Sequence, residues 1–216
     1  MFVYKYLKSK YLLEFKEKGL VRINTLHNLW SEHEKIRDEF EGRRQLEVIA
    51  KTKPQKYTGK EFHRLFHQIK SDKPNLEIIL DRGASIIDNK QVSNVFVFCA
   101  SLKLDDSLGK NLGYDAYYKI TDPDGFAYIL FERINEVKTI RCYKGRKVRY
   151  SDKVITITNK DESLSRDFND FWDICFTKPR KFRNEKEYRI VFVPQFSGEI
   201  RPLTLSCPEL RDCCKL

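Results

Sequence analysis

Short segments rich in β-branched and aromatic residues dominate the second half of the chain, and they constrain its fold more than any other feature. Such segments are typical of β-strands, because branched and aromatic side chains pack well on a pleated surface. The sequence Asp122-Pro123-Asp124-Gly125 is typical of a turn between two of them. The strands predicted in this half cover residues 94–102, 117–121, 126–131, 137–143, 154–158, 187–193 and 199–205.

Helical periodicity is strongest in the first half. Ser9 is a predicted N-cap and Gly19 a predicted stop for a helix over residues 9–18. Strands and helices do not alternate regularly, which favours an α+β fold with a mostly antiparallel sheet and helices concentrated in the N-terminal half. Further predicted elements are helices over 25–42, 60–70 and 162–175, strands over 2–7, 20–24 and 45–51, and an exposed loop over 51–57.

Length and composition indicate one globular domain spanning residues 1–216. Hydrophobic residues make up 41% of the chain, enough for a sizeable core. The apolar run 95–100 is too short to cross a bilayer, and the N-terminus has no signal-peptide pattern, so we expect a cytoplasmic protein that does not enter membranes. The formal net charge of +10 predicts an anionic partner, either nucleic acid, a phosphorylated cofactor or an acidic protein surface. The oligomeric state is left open.

Cysteine and histidine spacings do not indicate a metal site. Six cysteines in a cytoplasmic chain are expected to stay reduced, and Cys99 and Cys175 lie within apolar patterns typical of a core. His63 and His67 have the spacing of a helical ligand pair, but the glutamate of a zinc-protease motif is missing between them. We therefore predict no bound metal.

Two glutamates in the basic segment 178–189 are the strongest candidates for chemistry. Glu185 and Glu187 are two residues apart, and in a strand such residues project to the same face. A carboxylate in a basic, aromatic cleft can stabilise positive charge on a sugar carbon, or accept the proton of a nucleophile. The alternative is a purely structural ion pair of Glu187 with Arg189 or Lys178.

Scattered motifs resemble the bacterial family catalogued as domain of unknown function 2971, whose members often lie near phage-defence genes. The resemblance is most specific over residues 178–189. It implies a role in phage–host conflict, as a toxin or as a regulator. The other matching segments are Tyr4-Lys5-Tyr6-Leu7, Arg37-Asp38-Glu39-Phe40-Glu41, Phe98-Cys99-Ala100-Ser101, Gly125-Phe126 and Val148-Arg149-Tyr150.

The order of three segments also resembles that of ADP-ribosyltransferases of the arginine-serine-glutamate type. That resemblance implies an NAD cofactor, with Lys5 at its phosphates and Ser101 at its ribose. It makes Glu187 the catalytic residue and Glu185 the residue that orients the acceptor. The remaining expected cofactor contacts are Tyr4 and Tyr114, which can stack on nicotinamide, and Arg189.

Two other functions are compatible with the same sequence. A non-catalytic regulator or inhibitor would bind nucleic acid or an acidic protein through its exposed cations. A metal-dependent nuclease would draw on the acidic residues 38–41, although a second acidic motif is missing from the sequence. The cations expected to contact nucleic acid are Arg146, Lys147, Arg149, Arg180, Lys181 and Arg183.

Overall fold

The computed structural model describes residues 1–30, 41–66, 76–152, 154–158, 170–196 and 198–216. The fold is α+β with a large antiparallel sheet, as the sequence predicts. Contacts divide the chain into two compact units. The first contains Met1–Gly42, Ser93–Ser151 and Cys175–Leu216, and the second contains Arg43–Val92 and Asp152–Ile174. The expectation of a single domain stays a prediction.

The first unit is built on an eight-stranded sheet whose strand pairs are antiparallel. Its strands are β1 (Val3–Leu7), β2 (Leu20–Thr25), β7 (Phe96–Ser101), β8 (Ala116–Ile120), β9 (Ile140–Lys147), β13 (Glu187–Pro194), β14 (Leu203–Ser206) and β15 (Cys214–Lys215). The main path of the sheet runs β14-β2-β7-β1-β8-β15, and β13 joins β7 to β9. Two further short strands, β10 (Arg149–Tyr150) and β12 (Thr177–Lys178), pair in parallel.

Strand β7 is the centre of this sheet. One of its edges pairs with β13 along its whole length, from Phe96 to Ser101. Its other edge is shared by two strands, because β2 pairs with Phe96 and Val97 whereas β1 pairs at Ser101. Between these pairings, the Lys5 ammonium donates a 2.8 Å hydrogen bond to the carbonyl of Cys99. A side chain therefore supplies a donor to this edge of the strand.

The two faces of the sheet differ in chemistry because side chains alternate along each strand. Phe98 and Ala100 point into the main core, where Phe15 also stacks on Tyr118 with ring centroids 4.4 Å apart. Cys99 and Ser101 point to the opposite face. The helices of this unit are α1 (Ser9–Lys18), α3 (Asp106–Asn111) and α4 (Pro123–Asn135), with 3₁₀ helices at Asn28–Trp30, Arg180–Glu185 and Pro208–Cys213.

The second unit has its own small core around Val48, Tyr57 and Phe62. Helix α2 (Gly59–Leu65) begins with a reciprocal cap, in which Thr58 and Glu61 each bond the other's backbone N–H. Its strands are β3 (Arg43–Ile49), which pairs with β6 (Ser85–Gln91) and with β11 (Val154–Ile157), and the pair β4 (Gln55–Thr58) and β5 (Glu77–Leu80). The short helix α5 (Phe171–Cys175) belongs to this unit except for its last residue.

The predicted strand over residues 126–131 is wrong, because this segment lies within α4. Asp122 is its N-cap, with a side chain that accepts a hydrogen bond from Gly125 N, and Pro123 occupies the first turn. The segment read as a turn therefore begins a helix. Helix α4 lies wholly in the second half of the chain and α3 spans its midpoint, so among the described residues the helices are not clearly concentrated in the N-terminal half.

Smaller differences between the prediction and the structure concern the residues at which helices and strands begin and end. Ser9 is not the cap of α1; it is the first helical residue, and the carboxylate of Asp115 accepts a hydrogen bond from its N–H. Strand β4 begins inside the loop predicted over 51–57. Most of the predicted helices 25–42 and 162–175, and the end of 60–70, lie outside the described residues. Among the residues that are described, no helix has the length and apolar character needed to span a membrane.

Gly19 closes α1 at a point where both its backbone angle and its surroundings exclude a side chain. Its φ is +64°, and a Cβ there would lie 2.5 Å from Pro208 Cα and N. We expect Gly19→Ala to lower the free energy of unfolding by about 2–5 kcal/mol, from left-handed strain and steric overlap together.

The matched control is Gly113→Ala. Gly113 has a φ of +77°, and no heavy atom of the described residues lies within 4 Å of a Cβ built there. This variant should lose only the strain of about 1–2 kcal/mol. Urea denaturation of both variants checks the difference. Equal losses would show that the contact of Gly19 with Pro208 does not restrict this position.

Candidate functional site

A cavity of about 180 Å³ opens in the first unit. Its wall includes Cys99, Ser101 and Glu187, which share one face of the sheet. Six residues predicted from sequence lie in this wall, so the fold brings together groups that are up to about 180 positions apart in the chain. They are Tyr4, Lys5, Ser101, Tyr114, Glu185 and Glu187.

A chain of alternating charges forms part of this wall and extends beneath it. Lys178 Nζ is 2.5 Å from Glu185 Oε2 and 3.0 Å from Glu187 Oε2. The other oxygen of Glu187 accepts a hydrogen bond from Arg189 Nε. Arg189 in turn donates to both carboxylate oxygens of Glu41, one of them at 2.9 Å. These five side chains are called the charge chain below.

Arg189 is fully buried and lies beneath the site. Its side chain is 0% exposed, and besides the two carboxylates it donates a 2.8 Å hydrogen bond to the carbonyl of Cys175. It is absent from the described cavity wall. The expected contact of Arg189 with a cofactor does not fit this geometry, and we reassign Arg189 to holding Glu187 and Glu41 in place.

The charge chain determines which carboxylate of the pair is ionised. Burial alone would raise the pKa of Glu187, but the charges of Arg189 and Lys178 outweigh it and hold that pKa well below its usual range. Burial would also lower the pKa of Lys178, yet Glu187 and Glu185 raise it above its ordinary value. Glu187 and Lys178 therefore both carry charge at neutral pH.

Glu185 behaves differently. Burial raises its pKa to about 7, with attraction by Lys178 opposed by repulsion from Glu187. Its side chain is 16% exposed, compared with 6% for Glu187 and Lys178. The two cations already balance Glu41 and Glu187, so an ionised Glu185 adds a negative charge that the chain does not neutralise. Carboxylates with separated pKa values are typical of acid–base sites.

Strand alternation does not explain how the two glutamates come together. Strand β13 begins at Glu187, whereas Glu185 ends a 3₁₀ helix. Lys186 between them has a φ of +46°, a left-handed conformation that costs about 1–2 kcal/mol in a residue with a side chain. The carboxylates converge because both bind Lys178, and the prediction that they share a strand face is wrong.

Neighbouring groups fix this turn to the sheet. The Ser101 hydroxyl donates to the carbonyl of Glu185 at 2.8 Å and accepts from Lys103 N. The backbone N–H of Glu187 donates to the hydroxyl of Tyr150 at 2.7 Å. Burial raises the pKa of Tyr150 to about 12, so its hydroxyl stays protonated. Ser101 is 4% exposed, and its observed contacts hold the glutamate turn.

None of the cations predicted to contact nucleic acid lies in the described cavity wall. Arg146 is half-buried over the ring of Phe176, with 4.8 Å between its guanidinium carbon and the ring centroid. The other five are exposed on β9, β10 and the 3₁₀ helix Arg180–Glu185. They are Lys147, Arg149, Arg180, Lys181 and Arg183. Their role in binding stays a prediction.

The metal and nuclease hypotheses receive no geometric support. Within the described ranges, no group of three or more histidine, cysteine, aspartate or glutamate side chains is arranged to hold a metal. Of the acidic segment 38–41, Glu41 is described, and its carboxylate is bound by Arg189. His67 lies outside the described residues.

Sequence reasoning missed several residues of this site. Glu41 and Cys99 were only parts of motifs, Lys178 was named only as an ion-pair partner of Glu187, and Arg22 and Asn24 carried no functional signal. Arg22 is an exposed cation of β2 that lines the cavity. Burial raises the pKa of the Cys99 thiol well above its usual range, and the charge of Glu187 adds to this, so the thiol stays protonated at neutral pH.

No protein-family model matches the chain, and comparisons with curated proteins and with solved structures return no match. The resemblances described above therefore stay predictions.

Proposed function

We propose that this protein transfers the ADP-ribosyl group of NAD to an acceptor. The observation that supports the proposal most is Glu185, the most exposed carboxylate of the charge chain, whose pKa is raised to about 7 at the cavity. A base with a pKa near the working pH is best suited to accept a proton during a reaction. An ionised Glu185 also brings uncompensated negative charge to the cavity, which favours a developing cation.

The reaction is a substitution at the ribose carbon that carries nicotinamide. The bond between that carbon and the nicotinamide nitrogen breaks, and its electron pair leaves with neutral nicotinamide. The acceptor's nucleophile forms the new bond to the same carbon, and its proton passes to the Glu185 carboxylate. The transition state carries positive charge on the sugar, which the nearby carboxylates stabilise.

The remaining cavity residues have positioning roles in this proposal. Arg22 and Lys5 are the cations that would face the diphosphate, and the half-buried Tyr114 supplies a ring for nicotinamide. Glu187 is held ionised and immobile by Arg189 and Lys178. We assign the proton transfer to Glu185 rather than to Glu187, because both oxygens of Glu187 are already bound to cations.

The test is nicotinamide release and label transfer from isotope-labelled NAD, offered with DNA, RNA or cell lysate. Wild-type protein should release nicotinamide, and Glu185→Gln should reduce the rate about 100-fold or more. Glu199→Gln, at an exposed glutamate, is the control and should retain the wild-type rate. An inactive wild-type protein that also fails to bind NAD would overturn the proposal.

A second candidate function is non-catalytic binding of a polyanion or an acidic protein. It is favoured by the exposed cations Lys147, Arg149, Arg180, Lys181 and Arg183. Affinity for nucleic acid should then fall steeply with salt. A plot of the logarithm of the association constant against the logarithm of the salt concentration should have a slope of about −1 for each phosphate neutralised. Such binding by a protein with no NAD turnover would favour this function over the transferase.

A further inference from the structure

Four aromatic side chains form a strip on the sheet face that carries Glu187. Tyr4 is 6.0 Å from Phe2 and 6.1 Å from Tyr117, and Tyr6 is 6.3 Å from Tyr117, measured between ring centroids. We call these four residues the aromatic strip. Tyr4 and Tyr6 also line the cavity, so the strip is continuous with the candidate site.

The strand register explains why these rings share a face. Tyr4 pairs with Ser101 of β7 and with Lys119 of β8, and Tyr6 pairs with Tyr117. Paired residues in an antiparallel sheet project to the same side. Ser101 is itself paired with Glu187, so the face extends from the aromatic strip to the glutamate site.

The outer part of the strip is unusually open for aromatic residues. Phe2 is 49% exposed and Tyr117 is 42% exposed. The inner end is rigid, because the Tyr6 hydroxyl accepts a 2.6 Å hydrogen bond from Asp105 N and donates to the carbonyl of Lys103. Exposed rings held on a rigid strand offer flat surfaces on which another ring can stack.

A cation accompanies the rings. Lys119 Nζ lies 3.6 Å from the centroid of the Phe2 ring, and Lys119 is half-buried on the same face. Stacking rings beside a cation match a ligand that has flat bases and a negatively charged backbone. The net charge of +10 favours the same partner over an apolar peptide or a second copy of this equally basic chain.

We propose that the aromatic strip binds unpaired bases of a single-stranded nucleic acid and presents one of its nucleotides to the cavity as the acceptor. The bases stack on Tyr117 and Phe2, and Lys119 contacts the backbone phosphate. Duplex nucleic acid is excluded from this mode, because its bases are stacked on one another. The acceptor role rests on the proposed transferase function, whereas the binding itself does not.

The experiment measures fluorescence anisotropy of labelled short oligothymidylate and oligouridylate, with the corresponding duplexes for comparison. Tyr117→Ala should weaken binding of single strands about 5- to 150-fold, since a base stacked on an aromatic ring contributes about 1–3 kcal/mol. Tyr128→Ala is the control: Tyr128 is 55% exposed but lies on α4. It should bind like the wild type. Lys119→Gln should reduce the slope of log affinity against log salt concentration by about 1, the value expected when one phosphate contact is lost.

Binding and catalysis are separated by measuring anisotropy and label transfer on the same wild-type protein. If single strands bind and no ADP-ribose is transferred, the transferase function fails and the binding site stands. Equal effects of Tyr117→Ala and Tyr128→Ala, or tighter binding of duplexes, would overturn the binding site. A change of oligomeric state in Tyr117→Ala without nucleic-acid binding would identify the strip as a contact between copies and also overturn it.

Discussion

Replacing Arg189 with methionine should lower the free energy of unfolding by about 3–5 kcal/mol, the largest stability loss we expect from a single substitution. Methionine fills much of the same volume but removes the donors that bind Glu41 and Glu187. Both carboxylates are then buried with one cation fewer, and their desolvation is no longer offset. Chemical denaturation at neutral pH measures the loss.

The chain contains a matched control for this substitution. Arg201 also donates from its Nε to a glutamate two positions earlier, Glu199, but these side chains are 81% and 75% exposed. Exposed pairs contribute about 0–1 kcal/mol, so Arg201→Met should change stability little. Similar losses in the free energy of unfolding of the two variants would show that burial does not increase the contribution of the Arg189 ion pairs.

A third variant keeps the prediction testable if Arg189→Met does not fold. Adding Glu41→Gln to Arg189→Met removes one of the two carboxylates that Arg189 binds, and part of the lost stability should return. Strict additivity of the two substitutions would mean that Glu41 and Arg189 do not act as one network.

Glu185→Gln should inactivate the protein and stabilise it above neutral pH. We expect the rate of NAD turnover to fall about 100-fold or more, because the proton acceptor is lost. In the wild type, turnover should rise with pH through about 7, as Glu185 becomes ionised. The residual rate of the variant should lose this rise.

The stability effect follows from the raised pKa of the same carboxylate. Burial raises the pKa of Glu185 from 4.5 to about 7, so its stabilising contribution is present at low pH and is lost as pH rises from 4.5 through about 7. Glutamine does not ionise. The variant should therefore be more stable than the wild type by about 3 kcal/mol at pH 8, with the difference vanishing near pH 4.

Thermal or urea unfolding across this pH range checks the second effect. Glu187 stays ionised in the folded wild type over this range, so the difference between the two proteins reports on Glu185. A variant that is less stable than the wild type at every pH would mark Glu185 as a structural partner of Lys178. Stability gained at the expense of activity is what a functional carboxylate produces.

The sheet was predictable because local patterns and packing agree there. Strand β13 is buried along seven of its eight residues, and its residues 190–193 form a continuous run of branched and aromatic side chains. Helix α4 was missed because Phe126, Tyr128 and Ile129 have high strand propensity, while packing onto the core determines their helical state. The capping role of Asp122 could have been recognised, since aspartate before proline also begins helices.

The candidate site was only partly predictable. Its members lie on separate segments of the chain. Six residues to which the resemblance assigns roles line one cavity. The sequence offered the ion pairs of Glu187 with Arg189 or Lys178 as an alternative, and both are present. The extension of the network to Glu41 was not accessible from sequence, because Arg189 and Glu41 are 148 positions apart. Spacing also gave a wrong reason for the proximity of the two glutamates, since no local pattern indicates a left-handed Lys186.

The bond from Lys5 to the Cys99 carbonyl has a consequence for ligand selectivity. Any group that engages this ammonium through the same hydrogen has to displace an acceptor belonging to the sheet itself. A neutral carbonyl or hydroxyl would exchange one bond for a similar one and gain little. Charged oxygens form bonds about twice as strong, so phosphate or carboxylate oxygens are the ligands for which this exchange is favourable. We therefore expect anionic oxygens to compete for this ammonium better than neutral groups do.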